Sequence, residues 1–365
     1  MSKYKTNKVK CDIGSYIHYW RGIKKVGKTT LFYDLVQEQY GDLEKGLLIA
    51  VGDEIGYQAL DGLVYAETPT WADIVEVVND LVENKADNNF EIVGIDTADE
   101  MIKLAKEEVK KIHKKQKGSA AEFNACLGGY GAPRDKVAEL VDDILAKLRK
   151  AGYGIVIIGH TKLKDVKEKN GDEYQQLTSN LNADYDGIFA NKADIVMTIA
   201  VEKNIDEAKR IKGTTRYMWF RTDGFVDAGG RFSEMPERIE YGAANYIEAF
   251  EEGVKKAIKG KSSDSEIKKR KAEEVKERKQ KAQEYSENLK DNKIYTDRND
   301  ELIDIIKTKF PDADDDTKAK VKSLMAKYDI PMIRMETDYN DQDVEQLRLR
   351  VEAFAEILKQ RKSGS

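Results

Sequence analysis

From about residue 15 to residue 250, short apolar runs alternate with amphipathic stretches. Residues 16–20 predict a strand that leads into a glycine-bearing loop. Residues 46–51 and 91–96 are apolar runs of strand length. Residues 154–159, Gly-Ile-Val-Ile-Ile-Gly, form a continuous apolar run between glycines, the pattern of a strand buried on both faces. The stretches between these runs have helical spacing. In 70–83 the apolar positions are Trp71, Ile74, Val75, Val78, Leu81 and Val82, which share one helical face. Residues 29–40, 101–115 and 135–150 predict three more helices, and 193–201 and 216–221 two further strands. Strand–helix alternation of this kind predicts an α/β fold, a mostly parallel sheet flanked by helices and joined by right-handed crossovers.

The pattern changes after residue 253. Residues 255–293 are mostly Lys, Arg, Glu and Gln, and Ser262-Ser263-Asp264-Ser265 followed by Glu266 reads as a helix start. A last segment carries three apolar faces: Leu302, Ile305, Ile306 and Phe310; Val321, Leu324, Met325 and Tyr328; Val344, Leu347, Val351, Phe354 and Leu358. Pro311 and Pro331 punctuate them. The expected division is therefore a core at 1–253, a charged helical linker at 254–293 and a small helical module at 294–365.

Composition sharpens this only in part. With 40% apolar residues the chain can build a large core, and 35% charged residues fit long solvated helices. The net charge of −5 means that any contact with nucleic acid must come from local basic patches. Cys11 and Cys126 stand far apart, which speaks against a disulfide framework and fits a reducing cytoplasm. The first ten residues lack the apolar segment of a secretory signal, and no apolar run has membrane-spanning length. His18, His113 and His160 do not make a zinc cluster.

The chemistry concentrates in residues 22–29, Gly-Ile-Lys-Lys-Val-Gly-Lys-Thr. This is the full eight-residue phosphate-loop pattern between an expected strand and an expected helix. Gly22 and Gly27 let the backbone curl so that N–H groups, with Lys25, Val26 and Thr30 in the same turn, face phosphate oxygens. The helix that follows offers its positive end to the same anion. Lys28 supplies a point charge, and the Thr29 hydroxyl is a Mg²⁺ ligand. ATP, or a close relative, and Mg²⁺ are the implied ligands.

Three further positions complete the expected site. Asp96 ends an apolar run and would support Mg²⁺; the alternative is a cap of the next helix. Glu54, in preference to Asp53, lies just past the second strand, where a base for the attacking water is needed; the alternative is a surface turn. His160 ends the 154–159 strand and could sense the terminal phosphate, or simply close the strand end.

In this order the landmarks resemble the RecA-like P-loop fold. More closely, they resemble phage-encoded RecA-like nucleotide-binding proteins, which include single-strand annealing ATPases. The likeness covers roughly residues 12–245. It rests on the Lys-Val-Gly-Lys-Thr-Thr run at 25–30, Gly128-Gly129-Tyr130-Gly131, Gly-His-Thr-Lys at 159–162, Arg216-Tyr217-Met218 and Gly230-Arg231 before Pro236. The resemblance implies ATP hydrolysis coupled to single-stranded DNA, with Glu54 as base and His160 as sensor. It also implies a homo-oligomer in which Arg231 or Arg221 acts as a finger in trans.

Two segments fit DNA contact. Residues 114–133 carry Lys114, Lys115, Lys117, Phe123 and Tyr130, with Arg134 just beyond. Residues 162–192 carry Lys164, Lys167, Lys169, Tyr174, Tyr185 and Phe189 among acidic Asp165, Glu168 and Asp172. Each also reads as a plain surface segment, and basic residues 268–281 as a solvated helix. The C-terminal module could bind a replication or single-strand-binding protein. Two other functions stay open: a motor or helicase-loader ATPase of replication or packaging, and a non-enzymatic, ATP-switched interaction module.

Overall fold

A computed structural model describes residues 7–309, apart from 86, 169–170, 172, 206–209 and 259–262. One compact unit reaches Gln283 and a second begins at Glu284. Beyond Lys309, the expected helical module at 294–365 lies outside the described residues.

Among the described residues ten strands form the sheet system: β1 (Ile17–Gly22), β2 (Gly46–Val51), β3 (Tyr65–Thr68), β4 (Ile92–Asp96), β5 (Gly154–Lys167), β6 (Glu173–Ser179), β7 (Ile195–Ile205), β8 (Ile211–Trp219), β9 (Gly229–Gly230) and β10 (Arg238–Glu240). Their order is β10-β8-β7-β1-β5-β4-β2-β3. The six from β7 to β3 run parallel; β8 and β10 add an antiparallel edge. Every residue of β1, β2 and β4 is buried, as is the first part of β5. This is the mostly parallel α/β fold expected from the continuous apolar runs.

The α-helices of the described residues are α1 (Lys28–Tyr40), α2 (Trp71–Glu83), α3 (Ala98–Lys117), α4 (Ala132–Lys150), α5 (Ala183–Ala190), α6 (Ala243–Ala257) and α7 (Asp264–Lys309). Successive strand residues point to opposite faces. Trp20, Leu48, Val156, Ile158 and Met197 therefore share one core with Phe32 and Leu35 of α1 and Tyr246 and Phe250 of α6. The intervening Tyr19, Ile155 and Ile157 are equally buried. Gly94 explains how closely α1 approaches: a Cβ there would lie 3.0 Å from the Phe32 ring and 2.9 Å from Leu48.

Local chemistry sets the helix starts. Thr70 and Asp73 form a reciprocal capping box on α2, and Thr97 caps α3. No side chain caps α1, whose preceding Gly27 is left-handed at φ 103°. The charged stretch is a continuous helix from Asp264, and its beginning packs on the core. Arg278 is held by Asp12 and Glu91, and Ala282 is buried.

Candidate active site

The parallel strands deliver their carboxy-terminal ends to one edge. Gly22 pairs with His160 and Asp96 with Ile158, which sets the phosphate loop, the acid and the histidine on adjacent strands. A cavity of about 540 Å³ opens there, lined among others by Lys25, Lys28, Thr29, Glu54, Asp96 and His160. The Gly27 turn and the uncapped start of α1 aim free N–H groups at this space, the arrangement that holds an anion. Gly22 and Val26 do not line the cavity. The Gly22 carbonyl accepts from Lys28 Nζ at 3.1 Å, and the Val26 side chain is buried.

Lys28 is almost fully buried, and its ammonium also donates to the Ile23 carbonyl at 3.0 Å. Burial lowers its pKa against the opposing pull of Asp96, Asp99 and Glu54. Thr29 Oγ1 donates to Asp96 Oδ2 at 2.7 Å. Asp96 is 2% exposed, and its pKa is pushed up to about 6, chiefly by burial and further by Glu54, while Thr29 and Lys28 work the other way. Glu54 Oε1 accepts from Gly56 N at 3.1 Å. A Cβ built on Gly56 would lie 3.1 Å from Glu54 Oε1 and 3.3 Å from Thr29 Oγ1, so both groups border the same space. A hydroxyl beside a carboxylate is a hard oxygen donor pair, and Thr29 and Asp96 would suit Mg²⁺. Among the described residues no group of three His, Cys, Asp or Glu is placed to hold a metal by itself.

His160 carries a partner that its position in the sequence did not reveal. Asp99, in the first turn of α3, accepts from His160 N at 3.0 Å and meets His160 Nδ1 at 3.2 Å. Its other oxygen accepts from Asn180 Nδ2 at 3.0 Å, just past β6. Burial alone would raise the Asp99 pKa; the hydrogen bonds from His160 and Asn180 outweigh it and hold it below the ordinary value. The clasp stands where β5 leaves the main sheet and continues as a hairpin with β6, Thr161 opposite Ser179 through Lys167 opposite Glu173.

Other expected residues lie elsewhere. Arg231 Nη1 pairs with the buried Asp194 at 2.7 Å, and Asp194 also accepts from Ile17 N. Arg231 is therefore fixed at the end of β1 opposite Gly22, outside its own chain's cavity. Arg221 has an exposed side chain just past β8. Tyr185 and Phe189 are core residues, 4% and 0% exposed, which corrects the expectation that they could stack on bases. Lys114, Lys115 and Lys117 belong to the last turn of α3, not to a loop. Tyr130 is fully exposed on its glycine-rich turn. Lys169 and Asp172 lie outside the described residues.

A left-handed glycine turn between a buried strand and an uncapped helix, with a lysine inside and an acid on the second strand over, defines a P-loop nucleoside triphosphatase domain. Residues 17–232, more than half of the chain, match the AAA domain family, and the chain belongs to it. Membership implies a nucleotide-binding domain of the ATPase type. Residues 306–358 match the D-component of 2-hydroxyglutaryl-CoA dehydratase; that match is short, holds no residue of the cavity, and does not assign the chain to that family. No curated protein matches the chain. No described helix is long and apolar enough to cross a membrane.

Proposed function

We propose that this protein hydrolyses ATP and uses the cycle to handle single-stranded DNA, as in recombination or strand annealing. The observation that supports it best is the Asp99 clasp. One carboxylate touches both the histidine at the nucleotide cavity and the asparagine at the root of the β5–β6 hairpin.

In this reading the α1 N–H groups and Lys28 bind the phosphates. Thr29 and Asp96 would hold Mg²⁺, which neutralises phosphate charge. Glu54 orients the attacking water and accepts its proton, while His160 meets the terminal phosphate. The hairpin offers Lys162 and Lys164 on one face to a phosphate backbone, with exposed Phe225 packed against Tyr174 close by; exposed Leu163 lies on the opposite face. Asp165, Glu168 and Glu173 limit its net charge, so DNA affinity should be moderate and fall steeply with salt. In an oligomer, exposed Arg221 suits a finger in trans better than Arg231, which Asp194 already holds.

The test is the ATPase rate with and without single-stranded DNA at several salt concentrations. Stimulation that fades with salt, and faster pairing of complementary strands, are expected. Hydrolysis with no DNA binding at low salt would remove the DNA part and leave the ATPase. Stimulation accompanied by directional strand displacement would point to a motor instead.

A further inference from the structure

The phosphate loop is gripped from outside the cavity by two residues of the antiparallel edge. Arg216, on β8, donates from Nη1 to the Val26 carbonyl at 3.0 Å. Tyr241, directly after β10, donates its hydroxyl to the Gly27 carbonyl at 2.7 Å. The two side chains also hold each other, with the guanidinium 3.9 Å from the centre of the Tyr241 ring. The backbone registers them as well, since Tyr241 N donates to the Arg216 carbonyl at 2.9 Å. Gly27 shows how tightly they close: a Cβ there would lie 2.6 Å from the Tyr241 hydroxyl and 2.8 Å from Arg216 Nη1.

We infer that Arg216 and Tyr241 are positioning residues that hold the phosphate loop ready for nucleotide. A peptide plane whose carbonyl is bound on one side is constrained in where its N–H points on the other. Binding the carbonyls of Val26 and Gly27 on the outer side fixes the planes that carry the N–H groups of Gly27 and Lys28. These are the amides of the turn that would meet the phosphates. A loop ordered beforehand loses less entropy when ligand arrives. The pair therefore acts on affinity for the triphosphate and leaves Glu54 and the Thr29–Asp96 pair untouched. Neither Arg216 nor Tyr241, nor any other residue of β8 or β10, lines the cavity itself.

This inference rests on the nucleotide reading of the cavity. The experiment compares the wild type with Tyr241→Phe and Arg216→Ala. Equilibrium binding of the non-hydrolysable imido analogue of ATP with Mg²⁺ is measured alongside steady-state hydrolysis and thermal melting. Tyr241→Phe removes one hydroxyl and keeps the ring under Arg216, so it preserves the packing. It should weaken binding about threefold, and Arg216→Ala about tenfold, in line with one and two lost interactions of about 0.7 kcal/mol each. KM should rise in step while kcat stays within about twofold. The double variant should lose less than the product of the two, because the residues share one contact. Binding equal to wild type in both single variants overturns the inference, whether or not melting falls. A wild type that binds no analogue overturns the nucleotide reading itself.

Discussion

At the amino-terminal ends of β1, β4 and β5, Arg278 of α7 is enclosed by acids. Its guanidinium meets Asp12 at 2.5 Å and Glu91 at 3.1 Å, and Lys279 meets Glu91 at 2.7 Å. Burial would lower Arg278 and raise Glu91, yet both shift the other way: Asp12, Tyr40 and Glu91 raise Arg278, while Lys279, Arg278 and Lys85 lower Glu91. At the opposite ends of the same strands, Asp96 is as deeply buried, but its pKa rises to about 6 and that of Lys28 falls. One edge has closed its charges among themselves. The other holds charges that the protein alone does not satisfy, as expected where a charged ligand completes the set.

Substitutions should separate the two edges. The largest expected effect is on turnover: Lys28→Ala should cut ATP hydrolysis about a thousandfold in a phosphate-release assay, with little loss of melting temperature. Next is Arg278→Ala, which removes the cation that bridges Asp12 and Glu91 and leaves Glu91 with Lys279. It should destabilise the fold by about 3 kcal/mol in urea titration and leave nucleotide affinity per folded molecule unchanged. Equal loss of stability in both variants would erase the distinction between the edges.

A smaller effect concerns pH. The folded pKa of Asp96 lies above the carboxylate's ordinary value of 3.8. The stability it lends is thus complete below about pH 4 and is lost as pH rises through 6. Asp96→Asn should therefore be more stable than wild type at pH 7 by on the order of 2 kcal/mol, with the gap closing toward pH 4. Denaturant titrations at both pH values check this, and a gap independent of pH would contradict it. The same variant should lose Mg²⁺-dependent hydrolysis.

The smallest effect expected is from Asp99→Asn, which keeps the size of the side chain, removes its charge and turns one of its two accepting oxygens into a donor. Basal turnover should fall about threefold to tenfold, and any stimulation by single-stranded DNA should fall further. Equal losses with and without DNA would confine Asp99 to the cavity.

Much of the framework was legible in the chain. The run at 46–51 is β2, that at 91–96 contains β4, and the helix read at 70–83 is α2 with Thr70 as its cap. These segments are buried over their whole length or carry one clean apolar face, so local pattern and final environment agree. The strand read at 216–221 is instead Ile211–Trp219, and β7 runs on to Ile205. Their outer halves are exposed and polar, and antiparallel pairing with each other defines them, which no local periodicity reports. The continuation of β5 past His160, paired antiparallel with β6, was hidden for the same reason, and the short β3 because its four residues are mostly exposed or half-buried at the sheet edge beside β2. In the site, Lys28, Thr29 and Asp96 follow from spacing because motif and strand end coincide. Asp99, Asn180, Arg216 and Tyr241 do not, because each reaches its partner across the fold. The Asp-x-x-Asp step from 96 to 99, from the strand end across the Thr97 cap into the first turn of α3, was the only local hint.

Strand β5 belongs to two sheets. Its first half is clamped between β1 and β4, and its second half, from Thr161 to Lys167, pairs with β6 alone. Beyond that clamp the overhang is steadied by the 225–227 segment, where Leu177 N donates to the Phe225 carbonyl, yet an arm clamped at its base still multiplies angle into travel. Seven residues at about 3.3 Å each reach about 23 Å, so a tilt of only a few degrees at His160 carries the tip of the overhang more than an ångström.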